Sequence, residues 1–280
     1  MSRATERVSF HRPPVVETVL GVQFDPVRGL TNAHLGAFWA SLGGGWPRVT
    51  DVPPLGDQFE QFGTPSAWSG MRLQVSQDPS SRLQIRNEAG DRMIQVQNRR
   101  LHYNWVRQGV AKYPRYEETI RPEFDEMWKR FVAFLRDRGL DAPVPNQWEV
   151  TYVNHFPRNT VWSAPSDWSK PFKGALAPLA DMNGTVLASV RAYWRYEIQP
   201  QRGRLHVEVT HGFVGNEPPK NEALIVKLTA RGPVNKERDA DTGIDEGLNL
   251  GHDTIVQGFR DMTSDEAHEY WGYGNERSGA

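Results

Sequence analysis

Two patterns recur in this chain at nearly the same separation, and that recurrence restricts the fold more than any single motif does. Glu17 precedes Phe24 by seven positions with Pro26 close behind, and far downstream Glu149 precedes Phe156 by seven with Pro157 next. Late in each half stands Thr-Ile-x-x-x-Phe-x-x-Met: Thr119, Ile120, Phe124 and Met127, then Thr254, Ile255, Phe259 and Met262. The step from Thr119 to Thr254 nearly equals the step from Glu17 to Glu149. Internal repeats report architecture. The expectation is an α+β protein of two pseudo-repeated β-α-β-β-β-α halves, whose antiparallel sheets are covered by helices.

The elements inside each half follow from local pattern. Val15 to Phe24 reads as a strand closed by Asp25-Pro26, since proline cannot continue a central ladder. Thr31 reads as the cap of a short helix carrying Leu35, Phe38 and Leu42, stopped by Gly43 to Gly45. Residues 46–70, rich in Pro and Gly, read as a loop. Strands are expected over Met71 to Gln77, Arg82 to Asn87 and Arg92 to Arg107, joined by turn-forming residues. Ile120, Phe124, Met127, Trp128, Phe131 and Leu135 recur at helical spacing up to Gly139. The second half repeats the order: a strand over Trp148 to Phe156, a short helix over Ser166 to Leu176, then strands over Val186 to Ile198, Arg204 to Val209 and Ala223 to Thr229. Helical spacing returns at Ile255, Phe259 and Met262. The halves are expected at 14–147 and 148–272, flanked by a disordered arm (1–13) and tail (273–280), with a groove along the axis relating them.

Composition narrows the function classes. The chain has 280 residues and no cysteine, which excludes disulfides, thiolate metal sites and cysteine nucleophiles. Its formal net charge is −1, against wholesale binding of a polyanion, while ten Trp, eight Tyr and twelve Phe point to a ring-filled core or groove. Met1 to Pro14 lacks the apolar stretch of a signal peptide, and no apolar run approaches the roughly 20 residues of a membrane helix. The expectation is a cytoplasmic protein with no membrane partner.

Four places carry a resemblance: Pro13-Pro14-Val15-Val16-Glu17 leading to Phe24, Tyr103-Asn104-Trp105, Tyr113-Pro114-Arg115-Tyr116-Glu117, and Thr151-Tyr152-Val153-Asn154-His155. Over the N-terminal part that ends just beyond His155, the chain resembles a sporadically distributed prokaryotic protein family of unknown function. The resemblance brings no activity, cofactor or catalytic residue. The family's patchy distribution is similar to that of genes that move between genomes, including defence and toxin–antitoxin cargo.

Three groups of residues bear chemistry. Between Arg92 and Tyr116 lie Arg92, Arg99, Arg100, Arg107, Lys112 and Arg115 with no Asp or Glu, interleaved with His102, Tyr103, Trp105, Tyr113 and Tyr116. Cations neutralise phosphates while rings stack on bases, the combination that holds nucleotides and single strands. The alternative is a strand whose aromatics face the core and whose arginines face water, with Leu101, Tyr103 and Trp105 sharing one face and Arg100, His102 and Asn104 the other. Arg195 and Glu197 are expected to share a sheet face with His206 and Glu208, as cross-strand ion pairs or as a metal or acid–base site. Glu17 and Glu149, at equivalent places in the two halves, would raise one another's pKa if they met, and Asn154 and His155 lie on the strand of Glu149. The acidic stretch 236–269 lacks the spacing of a calcium loop and reads as a solvated loop. There is no phosphate loop, nucleophile elbow or His-Glu-x-x-His.

Two functional readings fit these residues. One is a non-enzymatic binding or interaction protein with a protein partner or a second copy, an accessory or neutralising component of a mobile defence-type locus. The other is a sensor or enzyme for a nucleotide or single-stranded nucleic acid acting through 92–116. Neither assigns a cofactor, a metal or a catalytic residue, and a metal hydrolase built on His206, Glu208 and Glu197 ranks behind both.

Overall fold

A computed structural model describes residues 8–60, 62, 81–174, 185–198, 200–215 and 221–274. Among these residues nine strands form one antiparallel sheet: β1 (Val15–Phe24), β2 (Arg48–Val52), β3 (Arg82–Arg86), β4 (Arg92–Gln97), β5 (Arg100–Val106), β6 (Pro145–Pro157), β7 (Arg191–Ile198), β8 (Gly203–Val214) and β9 (Asn221–Pro233). Their order across the sheet is β2-β3-β4-β5-β1-β6-β9-β8-β7, so the strand that opens each half lies at the centre. β1 and β6 pair with Val19 directly opposite Thr151.

Among the described residues four helices lie on one face: α1 (Asn32–Ser41), α2 (Arg121–Asp137), α3 (Ala240–Met262) and α4 (Asp265–Trp271). α1 lies over β3 and β4, α2 over β5, and α3 over β6, β9 and β8. The apolar stripe expected on α2 is buried throughout, from Ile120 to Leu135. Phe24 of β1 meets Trp128 and Phe131 of α2, while Phe156 of β6 meets Phe259 of α3 and Trp271 of α4.

Trp148 decides how closely α3 approaches. A Cβ on Gly247 or Gly251 of α3 would fall 2.2 Å and 2.8 Å from the Trp148 indole, and one on Gly232 or Gly203 would fall 2.7 Å and 2.9 Å from it. Four glycines therefore make a slot for one indole, whose Nε1 donates to the Pro233 carbonyl at 3.1 Å. Each helical glycine costs about 1 kcal/mol of propensity, a loss offset by burying the largest side chain.

Several elements differ from their local pattern. Arg92 to Arg107 is not one strand but the β4–β5 hairpin, turning at Asn98-Arg99. Part of the 46–70 loop is strand β2, which completes the sheet edge beside β3. The expected strand over Met71 to Gln77 lies outside the described residues. Pro165–Asp167 is a single 3-10 turn where a longer helix was expected, and the described chain after it is irregular as far as Gly174. The acidic stretch from 236 is largely α3, capped by Asp239 accepting from the Thr242 N–H at 3.0 Å, and α4 follows. Its acids suggested a solvated loop, but Gly247 and Gly251 seat the helix on Trp148. Within the expected disordered arm, His11 and Arg12 bond through their N–H groups to the carbonyls of Gly272 and Trp271. Among the described residues no helix is long and apolar enough to cross a membrane.

Candidate functional site

The sheet face away from the helices is polar, yet it is buried. Gln23, Gln95, Gln97, Arg100, His102, Asn104, Gln147, Thr151 and Thr229 are each at most 8% exposed. Alternation along each strand puts them there, because residues two apart share a face and directly paired residues extend the row onto the next strand. A hydrogen-bonded chain runs over β3, β4, β5 and β1: Arg82 donates to Gln95 at 2.7 Å, Gln95 to Asn104 at 3.1 Å, and Asn104 to Glu17 at 2.6 Å.

One short segment lies over this face. Leaving β2, residues 53–60 run across the sheet as a strap. Leu55 exchanges two bonds with the Gln97 amide, its N–H donating at 2.9 Å and its carbonyl accepting at 2.8 Å. The Gln58 N–H donates to Gln23 at 2.9 Å, and Arg100 donates to the Gly56 carbonyl at 3.1 Å and to Gln23. Asp57 pairs with Arg99. At the far end the Glu60 carboxylate is held by Arg231 at 2.7 Å, His206 at 2.8 Å and Arg204 at 3.3 Å, with its side chain only 5% exposed. Burial pushes the Glu60 carboxyl up, but the His206 hydrogen bond and the Arg231 charge outweigh it and hold the pKa below the ordinary value.

Beside the strap is a half-open cavity of about 250 Å³ lined by Leu55, Gln58, Arg100, Glu149, Tyr193, His206, Glu208, Lys227, Thr229 and Arg231. Its charges are unevenly matched. Glu208 is paired with Arg191 at 2.7 Å, and Arg231 sits between Glu60 and Glu149, the latter at 3.3 Å. Among the described residues neither Arg100 nor Lys227 has a carboxylate within 4.0 Å. Arg100 is satisfied only by neutral oxygens, and Lys227 is exposed towards the cavity.

Behind the cavity, the His102 ring lies over Gly21, where a Cβ would come within 2.3 Å of it. The missing side chain on β1 lets His102 of β5 reach towards Glu149 of β6, Nε2 to Oε1 3.9 Å, across an intervening strand. Burial pushes the His102 pKa down to about 4 against the opposing pull of Glu149. The Glu149 carboxyl, pushed up by burial, is drawn below its ordinary value by the positive charges of His102, Arg231 and Arg100.

The structure separates the residues that the sequence grouped. Arg99 and Arg100 serve the strap side, whereas Tyr103 and Trp105 point into the helix-side core, 3% and 2% exposed. Tyr103 donates to Glu123 at 3.1 Å, and Trp105 meets Tyr113 edge to face. Tyr116 stacks on His252 of α3 with centroids 3.8 Å apart. Arg115 lies 3.9 Å from Glu118 at the helix start, and Asn154 donates to the Val226 carbonyl inside the core. Arg99 and Arg100 thus share no stacking surface with Tyr103 and Trp105, while Arg92, on the helix side with the rings, is taken up by Glu123. Glu17 and Glu149 do not meet either. Antiparallel pairing centred on Val19 and Thr151 sets them on opposite sides of that centre, four residues apart along the strands, roughly 14 Å at about 3.4 Å per residue.

Arg195 pairs in register with His206, and Tyr193 with Glu208, so that group does share a face. His206 is engaged by Tyr193 through Nδ1 and by Glu60 through Nε2. Among the described residues no three His, Asp or Glu side chains are gathered to share a metal ion. Glu60 escaped the sequence reading because it lies in the Pro/Gly-rich stretch, 146 positions from His206 and 171 from Arg231. Arg204, His206 and Arg231 share one face of β8 and β9, but no local pattern ties them to an acid so distant in sequence. No protein-family model matches this chain, and no curated protein matches it either.

Proposed function

We propose that this is a binding protein whose cavity between strap and sheet takes a small anionic ligand, one bearing a phosphate or a carboxylate, without transforming it. The observation that carries the reading is the pair Arg100 and Lys227, two cations lining one cavity with no carboxylate within 4.0 Å of either among the described residues. Burying a guanidinium against neutral oxygens alone is costly, and an anion entering the cavity relieves that cost through charge-assisted hydrogen bonds. Thr229 and Tyr193 add neutral polar and aromatic contacts at the wall and rim. This reading keeps Arg100 and Glu149 from the candidates and moves the ligand away from Tyr103, Trp105 and Tyr116. A nucleotide remains within the class, recognised by its phosphate rather than by a ring platform.

We also propose that the two halves arose by duplication. In its support, the orders β3-β4-β5-β1 and β7-β8-β9-β6 mirror one another about the central pair. Val19 and Thr151, directly opposed in the sheet, stand at the same separation in sequence as Glu17 and Glu149. On this reading the cavity lies off the axis, because the strap belongs to one half only.

The test is calorimetric titration of the full chain with inorganic phosphate, adenosine monophosphate and succinate, which separates phosphate from carboxylate recognition. At least one binds, and Arg100→Gln or Lys227→Met weakens it about ten- to a hundredfold, the effect of removing a charge-assisted bond. Binding unchanged in both variants, or no heat from any probe at low salt, would overturn the reading.

A further inference from the structure

The strap itself shows what else this face can hold. Passing from Gln97 on β4 to Arg204 on β8 crosses five strand spacings, roughly 24 Å at about 4.8 Å each. Six residues, Leu55 to Glu60, cover that span only when nearly fully extended, with side chains reaching out at both ends. Four of the strap's backbone groups are met by side chains of the sheet: the Leu55 N–H and carbonyl by Gln97, the Gly56 carbonyl by Arg100, and the Gln58 N–H by Gln23. Such contacts read a peptide backbone whatever its sequence. Two acids supply the selectivity, Asp57 on Arg99 and Glu60 among Arg204, His206 and Arg231.

The attachment is almost wholly polar. No backbone-to-backbone hydrogen bond joins 53–60 to the sheet among the described residues, and the strap's largest ring, Phe59, is 54% exposed. A segment held by side-chain bonds with little apolar burial opens at a small fraction of the global stability. Every bond that holds it is available, unchanged, to another chain of the same chemistry.

We propose that the polar sheet face is a docking site for an acidic extended segment of a partner protein, of the pattern Asp-x-x-Glu, and that residues 55–60 occupy it in cis. The partner's first acid takes Arg99 and its second takes the pocket of Arg204, His206 and Arg231, while Gln97, Arg100 and Gln23 hold its backbone. The site shares Arg100 and Arg231 with the small-ligand cavity but stands on a different observation, the bound strap.

The experiment uses the full chain and a fluorescein-labelled peptide of sequence Leu-Gly-Asp-Gln-Phe-Glu, followed by fluorescence anisotropy. The double variant Asp57→Asn with Glu60→Gln, which loosens the strap, binds the peptide about tenfold more tightly than the unaltered chain, because the competitor in cis is weakened. Replacing both acids of the peptide by their amides abolishes the gain, and raising salt from about 50 to about 500 mM reduces it. Equal affinity for the acidic and amide peptides, or no gain in the folded double variant, overturns the proposal. Should the variant fail to fold, hydrogen exchange on the unaltered chain decides: saturating peptide strips protection from the Leu55 and Gln58 amides, and unchanged protection overturns the proposal. Titrating the unaltered chain with inorganic phosphate, in the absence of peptide, reports the cavity separately, so either site can fail without the other.

Discussion

On the helix side of the sheet the Trp148 indole lies over Gly232 and Gly203 beneath α3, and on the strap side the His102 imidazole lies over Gly21. The geometric device is the same on both faces: a glycine lets a ring from a neighbouring strand lie across the backbone. Its consequences differ because the coverings differ. Above Trp148 is a helix that presents Gly247 and Gly251 to the ring, while the indole N–H is met by the Pro233 carbonyl of β9, so the ring becomes packing. Beyond His102 stand Glu149, Arg231 and a polar strap, so the ring becomes part of an electrostatic network. A sheet face thus becomes core or site according to what lies over it.

Removing the indole tests the helix side most severely. Trp148→Ala empties a slot walled by glycines, which cannot expand to refill it, and is expected to cost about 3–5 kcal/mol by urea unfolding. A loss of only about 1 kcal/mol would mean that α3 settles onto the sheet and closes the cavity, and the contrast between the faces would lose its basis.

Titration tests the other ring. His102 has a folded pKa of about 4 against an ordinary value of 6.5. The unfolded chain therefore takes up its proton first as pH falls. The stabilisation held by neutral His102 is complete above about pH 6.5 and is lost between there and about pH 4, amounting to about 3 kcal/mol. Urea unfolding at pH 7.5 and 4.5 should show His102→Gln losing about 2–3 kcal/mol less than the unaltered chain. Parallel losses would refute a neutral, buried imidazole beside Glu149.

The smallest effect is expected at the strap. Asp57 and Arg99 are partly exposed, 29% and 40% at their side chains, and such pairs contribute under about 1 kcal/mol. Asp57→Ala should leave the unfolding midpoint nearly unchanged, and less changed still in high salt. A loss above about 2 kcal/mol, more than a partly exposed ion pair contributes, would make the strap a fixed part of the core and end the case for its displacement.

Much of this was legible residue by residue. The stripe of α2 and the division of β5 into Leu101, Tyr103 and Trp105 on one side, with Arg100, His102 and Asn104 on the other, follow from periodicity alone, but the burial of the second face, expected to meet water, does not. Where pattern and structure part, a distant contact intervenes. The acidic stretch from 236 read as a solvated loop because charge pattern is a local property, whereas the contact that seats Gly247 and Gly251 of α3 comes from Trp148, far back in the chain on β6. Arg99, Arg100, Tyr103 and Trp105 looked like one ligand surface because adjacency along a chain says nothing about which face a side chain takes once another layer covers it.

What the sequence determined by itself was therefore the alternation of each strand, the apolar stripe of the long helix and the α+β class, all set by geometry over a few neighbouring residues. The tertiary structure alone decided that β1 and β6 meet at the centre, that Glu17 and Glu149 stand apart, and that Glu60 crosses the sheet to three cations. Those outcomes depend on the free energy of burying charges and closing long loops in the assembled sheet, which no short window of residues contains.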